Sequence, residues 1–120
     1  MVKPTKLFWK VGKHVFRYLR GTSGYGLWYR QEDEVKLCGF TDADWAGSPT
    51  DRKSTSGGIF NIGSTIVSWY SRKHRSMALS SAEAEYMAAS LAACEAIWMR
   101  KILVTLFGSH LDPTVIYCDN

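Results

Sequence analysis

Four acidic residues lie where their carboxylates could share a metal ion. Asp42 and Asp44 end a run typical of a buried strand, Glu85 lies near the start of a long helical pattern, and Asp119 ends the last β-branched run. Carboxylates gathered at the carboxyl edge of an α/β sheet repel one another unless a divalent cation lies between them. Two Mg²⁺ ions held by such oxygens can activate a water molecule and stabilise the leaving oxygen of a phosphodiester. The pattern indicates metal-dependent phosphodiester hydrolysis, and the alternative for each acid taken singly is a solvated surface residue.

Oxygen ligands favour magnesium over zinc at such a site. The three histidines are scattered, and the three cysteines are odd in number and widely spaced, so neither set matches a zinc cluster or a disulfide framework. These residues are His14, His74, His110, Cys38, Cys94 and Cys118. A reducing compartment is the simpler expectation.

Helical geometry separates the two candidate glutamates. At about 100° per residue, Glu83 and Glu85 point roughly 160° apart. Glu83 follows Ser80 at the spacing of a capping box and is assigned to the start of the helix. Glu85 is assigned to the site because it shares its face with a stripe of small, then large, apolar residues. The stripe comprises Ala89, Ala92, Ala96, Met99 and Leu103.

Strand geometry leaves two candidate aspartates on one face, because residues two apart project to the same side. Asp44 precedes Trp45, Ala46 and Gly47, a context typical of a turn-forming Asp. We therefore assign Asp42 to the metal and Asp44 to the turn.

The elements that must position these acids can be read from apolar periodicity. The pattern predicts helices over residues 5–19 and 80–107, strands over 25–29, 35–41, 57–62, 65–70 and 114–118, and a polar loop over 47–56. Strand 35–41 is apolar on both faces and should be central. Leu19 is expected in the core. A hairpin joins 57–62 to 65–70, and the crossover through the long helix makes the last strand parallel. The fold class is thus α/β: a mixed sheet of three antiparallel strands, a long helix and a parallel strand, preceded by an amphipathic helix and a short strand.

Composition and charge limit the classes of function. The chain has 120 residues, 46% of them hydrophobic, which suits one folded domain and excludes a disordered chain. No apolar run reaches the roughly 18 residues of a membrane span, and no secretory segment is recognised. The net charge is +4, and residues 1–30 contain no acid. A polyanionic partner and an ordinary solvated helix face remain alternatives for that segment.

Several motifs resemble the RNase H domain of copia-type retrotransposon Pol polyproteins. The matching blocks occur in the family's order: residues 40–47 (FTDADWAG), 51–57 (DRKSTSG), 78–89 (ALSSAEAEYMAA) and 116–120 (IYCDN). Residues 17–22 (RYLRGT) and 26–29 (GLWY) are similar to the segment that joins reverse transcriptase to RNase H. The resemblance implies a connecting segment over 1–34 and a partial RNase H-like domain over 35–120.

The family's function supplies further expectations. Asp42, Glu85 and Asp119 match the first three of four catalytic acids, which use two Mg²⁺ ions to cut the RNA strand of RNA–DNA hybrids. Recognition of such a hybrid works through phosphates and 2′-hydroxyls. The candidate contacts, each of which could equally be an ordinary exposed charge, are Arg52, Lys53, Arg72, Lys73 and Arg75. The reverse transcriptase portion is the expected protein partner, no membrane partner is expected, and the expected location is the cytoplasm or virus-like particle, or the nucleus.

The departure from the family lies after Asn120, where family members continue to a fourth acid. We expect the fold to be incomplete at this end, one Mg²⁺ ion or none to be retained, and nuclease activity to be weak or absent. The last strand would be an exposed edge able to mediate self-association. The alternative function is a non-catalytic interaction protein. Residues 17–20 (RYLR) satisfy the R-x-L-R pattern of secreted oomycete effectors that suppress host cell death, which would place the protein in a host cell. A relic without a function is the third alternative.

Overall fold

Two helices and four strands follow one another in the computed structural model, which describes residues 5–30, 36–108 and 111–118. They are α1 (Lys6–Gly21), β1 (Leu37–Asp44), β2 (Thr55–Ile62), β3 (Thr65–Lys73), α2 (Ser81–Phe107) and β4 (Val115–Cys118). Among these described residues, no helix is both long and apolar enough to cross a membrane.

The four strands form one mixed sheet in the order β3-β2-β1-β4. β1, β2 and β3 pair antiparallel, and β4 pairs parallel with β1 after the crossover through α2. The turn between β2 and β3 contains Gly63, whose φ of 57° suits glycine better than any residue with a Cβ. The predicted α/β class, the central position of β1 and the edge position of the last strand are confirmed.

α2 covers one face of the sheet. Along β1, Leu37, Gly39 and Thr41 are buried and alternate with more exposed residues, as a strand with one covered face requires. A Cβ on Gly39 would lie 2.7 Å from the ring of Phe60, so this close approach requires glycine. The buried stripe of α2 consists of Ala84, Ala88, Ala92, Ala96, Met99 and Leu103. The small residues at its start let the helix lie close to the strands, whereas Ala89, expected in the stripe, is only half-buried.

Both ends of α2 are capped as the sequence predicts. The Ser80 hydroxyl accepts a hydrogen bond from the Glu83 N–H at 3.1 Å, and the Glu83 carboxylate accepts one from the Leu79 N–H at 2.6 Å. At the other end, Gly108 takes a left-handed conformation and its N–H donates to the Val104 carbonyl. Caps of this kind contribute about 1 kcal/mol each to helix stability.

One predicted strand is absent, and the bounds of several others are wrong, among them those of β1, which continues to Asp44 rather than ending at residue 41. Residues 25–30 form no strand; they are held to β3 through side chains, with Tyr29 Oη donating to the Ile66 carbonyl and Thr65 Oγ1 donating to the Trp28 carbonyl. β2 begins at Thr55 and β3 continues to Lys73. The loop between β1 and β2 comprises residues 45–54 rather than 47–56, because Thr55 and Ser56 pair with Asp44 and Ala43 of β1.

α1 forms as predicted but packs against none of the other helices and strands that the structure describes. None of its residues is buried, and Leu19, expected in the core, is 55% exposed. The radius of gyration is 17.6 Å, against about 14 Å for a compact domain of this length. The amphipathic pattern correctly indicated a helix, but not which surface would cover its apolar face.

Candidate metal and nucleic-acid site

The carboxyl ends of β1 and β4 lie side by side. The parallel register of β1 and β4 ends where Thr41 lies beside Cys118, and Asp42 is the next residue of β1. Asp42 is exposed and alternates with buried Thr41, which places it on the face opposite α2. One of its carboxylate oxygens accepts a hydrogen bond from the Ala43 N–H at 2.7 Å.

A hydrogen bond brings the start of α2 to the same edge. Trp45, immediately after β1, donates from its indole Nε1 to the Ala78 carbonyl at 3.2 Å, two residues before the N-cap Ser80. The turn is further fixed by a hydrogen bond from the Ala46 N–H to the Ser54 hydroxyl at 3.0 Å. No role for Trp45 or Ser54 was predicted from the sequence. The sequence signal that could have revealed this contact was Trp45 itself, a large aromatic residue directly after the strand that carries Asp42 and Asp44.

Glu85 lies on the first turns of α2, next to fully buried Ala84, and is itself half-buried. Its Oε2 is buried and has no hydrogen-bond partner among the described residues. A buried carboxylate oxygen without a donor is costly unless another group, such as a cation, satisfies it. Glu83 is exposed and is used by the helix cap, as predicted.

Asp119, the third predicted ligand, lies outside the described residues. No group of three acidic, histidine or cysteine residues that could hold a metal is found within the described ranges. The structure thus brings the ends of β1 and β4 and the start of α2 to one edge of the sheet, but it places Asp42 on the face opposite α2, so the described side chains of Asp42 and Glu85 do not converge in one cluster.

Asp44, which the sequence assigned to the turn, is the last residue of β1 and pairs with Thr55, and only its carboxylate lies against the turn that follows. A Cβ on Gly47 would collide with the carboxylate of Asp44, so the carboxylate occupies the space that the missing side chain leaves. Ala46, between them, has a φ of 52°, in the left-handed region.

An apolar pocket of about 470 Å³ opens beside Asp42 on the face of the sheet opposite α2. Phe40, Ile59 and Trp69 line it and remain at least two-fifths exposed. Phe40 stacks on Tyr117 of β4, with ring centroids 5.1 Å apart. Alternation along β1 places Phe40 on the same face as Asp42, and the described part of the chain leaves this face uncovered.

Two of the predicted nucleic-acid contacts lie in the loop before β2 and at the end of β3. Lys73 pairs with Asp51 at 2.9 Å and donates to the Ser48 hydroxyl at 3.0 Å. Hydrogen bonds from Ser48 and then Lys73 lower the pKa of Asp51 from 3.8 to about 2. Lys53 is half-buried, and its N–H donates to Asp51. Lys73 and Lys53 therefore fix the loop, and the charge of Lys73 is partly neutralised.

The other three predicted contacts, which are arginines, differ in whether their side chains already have partners. Arg72 lies over the ring of Tyr70 and approaches Glu95 of α2 at 3.7 Å. Arg75 is exposed. Arg52 is also exposed and has a φ of 53°. Arg52 and Arg75 are the contacts most available to a phosphate, whereas Arg72 and Lys73 belong to β3.

A buried polar pair that the sequence analysis did not identify supports this region. Ser56 Oγ and His74 Nε2 lie 2.5 Å apart, with Ser56 fully buried and His74 only 5% exposed. The His74 N–H also donates to the Ser54 carbonyl at 2.8 Å. These bonds fasten the end of β3 to the start of β2, and they give His74 a positioning role.

The chain is similar to proteins of two kinds. It is 48% identical over 96 residues to a secreted RxLR effector protein of Plasmopara viticola, which covers 80% of this chain and 68% of that protein. It is 42% identical to a retrovirus-related Pol polyprotein from a transposon of Nicotiana tabacum and 38% identical to one from Arabidopsis thaliana, over 98% and 100% of this chain. The chain spans only 9% and 8% of those two polyproteins.

No family model and no solved structure matches the chain. The Pol relatives nevertheless align with it from end to end, across the β1 acid, the start of α2 and β4. The chain therefore belongs to the family of copia-type retrotransposon Pol polyproteins.

Proposed function

We propose that this chain is the RNase H-like part of a Pol polyprotein and that it serves hydrolysis of the RNA strand of RNA–DNA hybrids. The observation that carries the proposal is the buried Oε2 of Glu85, which lacks a partner among the described residues. It lies on the helix whose start is bonded to the end of β1 through Trp45. An acid held there without a donor is suited to a divalent cation.

Asp42, Glu85 and Asp119 would hold Mg²⁺ in this proposal. All three offer hard carboxylate oxygens, the donors that Mg²⁺ prefers, and the buried Glu85 Oε2 has no hydrogen-bond donor among the described residues. The bound ion supplies water activation and neutralisation of phosphate charge. The chain's own contribution is to fix the carboxylates, through the helix cap at Ser80 and the Trp45 bond to Ala78.

The hybrid would be held by the basic residues around this edge. Arg52 and Arg75 are exposed and free to contact phosphates, while the charge of Lys73 is already paired with Asp51. Such contacts are independent of base sequence and weaken as salt increases.

The metal assignment is tested by thermal unfolding with increasing Mg²⁺. At 100 times the dissociation constant, the ion should stabilise the folded chain by about 2.7 kcal/mol. Glu85→Gln and Asp42→Asn should abolish this stabilisation, because each removes a ligand. Glu83→Gln and Asp44→Asn are the matched controls and should retain it, since Gln still caps a helix and Asn still suits a turn.

Cleavage of a labelled RNA–DNA hybrid gives the second measurement, with the same four variants. Activity that depends on Mg²⁺ and on both Asp42 and Glu85 is expected. A Glu85→Gln protein that responds to Mg²⁺ like the parent, or cleavage that survives Asp42→Asn, would show that the metal ligands are other residues.

A second candidate function follows from the similarity to the secreted effector, which extends over 68% of that protein. In this reading the chain is a non-catalytic interaction protein that acts in a host cell. The RYLR tetrapeptide lies on exposed α1. Expression in plant cells challenged with an elicitor of cell death separates the two functions. Suppression of cell death that is unchanged by Asp42→Asn and Glu85→Gln favours the effector function. Absence of suppression excludes the effector function.

A further inference from the structure

α1 separates charge and apolar surface along its whole length. At about 100° per residue, its five cationic residues fall within an arc of about 80°. They are Lys6, Lys10, Lys13, Arg17 and Arg20. The opposite arc, about 120° wide, carries the apolar stripe of the helix. The stripe consists of Leu7, Phe8, Val11, Val15, Tyr18 and Leu19.

Nothing in the described part of the chain covers either surface. The residues of the stripe are between 50% and 69% exposed, and the helix buries no residue. Among the described residues, no ion pair joins the five cations to an acid. An exposed apolar stripe of this size requires a partner, and the partner must also be compatible with a strongly cationic opposite surface.

We propose that α1 is a membrane-surface helix that binds anionic lipid bilayers. A helix with one apolar face, a basic polar face and no acid is the type that lies in the plane of the interface, with its apolar side chains among the acyl chains and its cations among the headgroups. Its 16 residues give a length of about 24 Å. Nucleic acid would engage only the cations, and a second copy only the apolar stripe, whereas an anionic bilayer engages both. This binding requires no membrane-spanning segment, so the lack of a spanning run in the sequence does not bear on it.

Two double variants, each introducing two Gln residues, separate the two surfaces. Val11→Gln with Val15→Gln removes apolar surface and leaves the charge unchanged. Lys10→Gln with Arg17→Gln removes two charges and leaves the stripe unchanged. Because α1 contacts no other element and Gln is a good helix former, neither variant should alter the folding of the sheet and α2. Unchanged thermal unfolding confirms this.

The measurement is co-sedimentation of the full chain with vesicles of phosphatidylcholine, with and without phosphatidylserine. Binding is expected only with phosphatidylserine, and it should weaken with salt. The valine variant should bind about ten-fold or more weakly, and the charge variant about thirty-fold more weakly. Circular dichroism should show that helix content is kept or increased on the vesicles.

Three results would overturn the proposal. The first is equal binding of the parent and the valine variant to anionic vesicles. The second is absence of vesicle binding together with binding to duplex nucleic acid that only the charge variant loses, which would make α1 a nucleic-acid surface. The third is self-association, without vesicle binding, that only the valine variant abolishes.

Discussion

Asp51 illustrates what one exposed carboxylate contributes to this fold. Hydrogen bonds from Ser48 and Lys73 lower its pKa from 3.8 to about 2. A carboxylate with a lowered pKa in the folded state stabilises that state above the unfolded pKa and loses its contribution as the pH falls through the folded pKa. We therefore expect Asp51→Asn to lower the melting temperature slightly at pH 7, and the difference from the parent to shrink between pH 4 and pH 2.

The measurement is thermal unfolding of the parent and Asp51→Asn across this pH range. Ser48→Ala should reproduce part of the loss, because the Ser48 hydrogen bond is the largest cause of the lowered pKa. A difference between parent and Asp51→Asn that persists undiminished at pH 2 would show that the Asn side chain disturbs the loop for another reason.

At the scale of elements, the fit of β2 against β3 depends on one of two adjacent glycines. A Cβ on Gly58 would collide with the ring of Tyr70 across the sheet, whereas a Cβ on Gly57 meets nothing within 4 Å. Gly58→Ala should therefore destabilise the chain by about 1–3 kcal/mol, the usual effect of overpacking. Gly57→Ala is the matched control and should change stability by about 0.5 kcal/mol or less. Equal effects in urea unfolding would contradict the assigned packing.

The elements that local signals define could be predicted from the sequence. The capping residues Ser80 and Gly108 bound α2, and the Gly63 turn marked the β2–β3 hairpin. The predicted strand over residues 25–29 failed because aromatic residues favour strands only where a neighbouring ladder is available. Here Tyr29 bonds through its side chain instead.

Local geometry could separate the two glutamates of α2, but it could not predict the contacts that support the edge of the sheet beside them. Helical angles correctly separated Glu83, which caps the helix, from half-buried Glu85. The Trp45 bond to Ala78 and the Ser56–His74 pair join residues 33 and 18 positions apart, respectively. No local pattern specifies such contacts, because they depend on how the strands and the turn pack. Whether Asp42, Glu85 and Asp119 share a cation stays a prediction.

At the scale of the whole molecule, α1 and the sheet with α2 form two parts of different kinds. β1, β2, β3, α2 and β4 contact one another, and none of them packs against α1. The sequence could not reveal this separation, because the amphipathic pattern of α1 is that of a helix with a partner. Deletion of residues 1–21 should accordingly leave the stability of the remainder within about 0.5 kcal/mol of the parent.

In the part formed by the sheet and α2, by contrast, Arg100 holds two segments together. From α2, its guanidinium donates to the carbonyl oxygens of Asp112 and Leu111 and to the Thr114 hydroxyl, and so fastens the segment that leads into β4. Charged donors of this kind contribute about 2 kcal/mol together when partly buried. Arg100→Ala should then lower the melting temperature by about 8–16 °C. Since β4 completes the edge beside Asp42, the same variant should also weaken the stabilisation by Mg²⁺, whereas the deletion of residues 1–21 should leave it intact. Calorimetry of both proteins with and without Mg²⁺ measures the two effects together, and a deletion that loses the Mg²⁺ response would show that α1 contributes to the site.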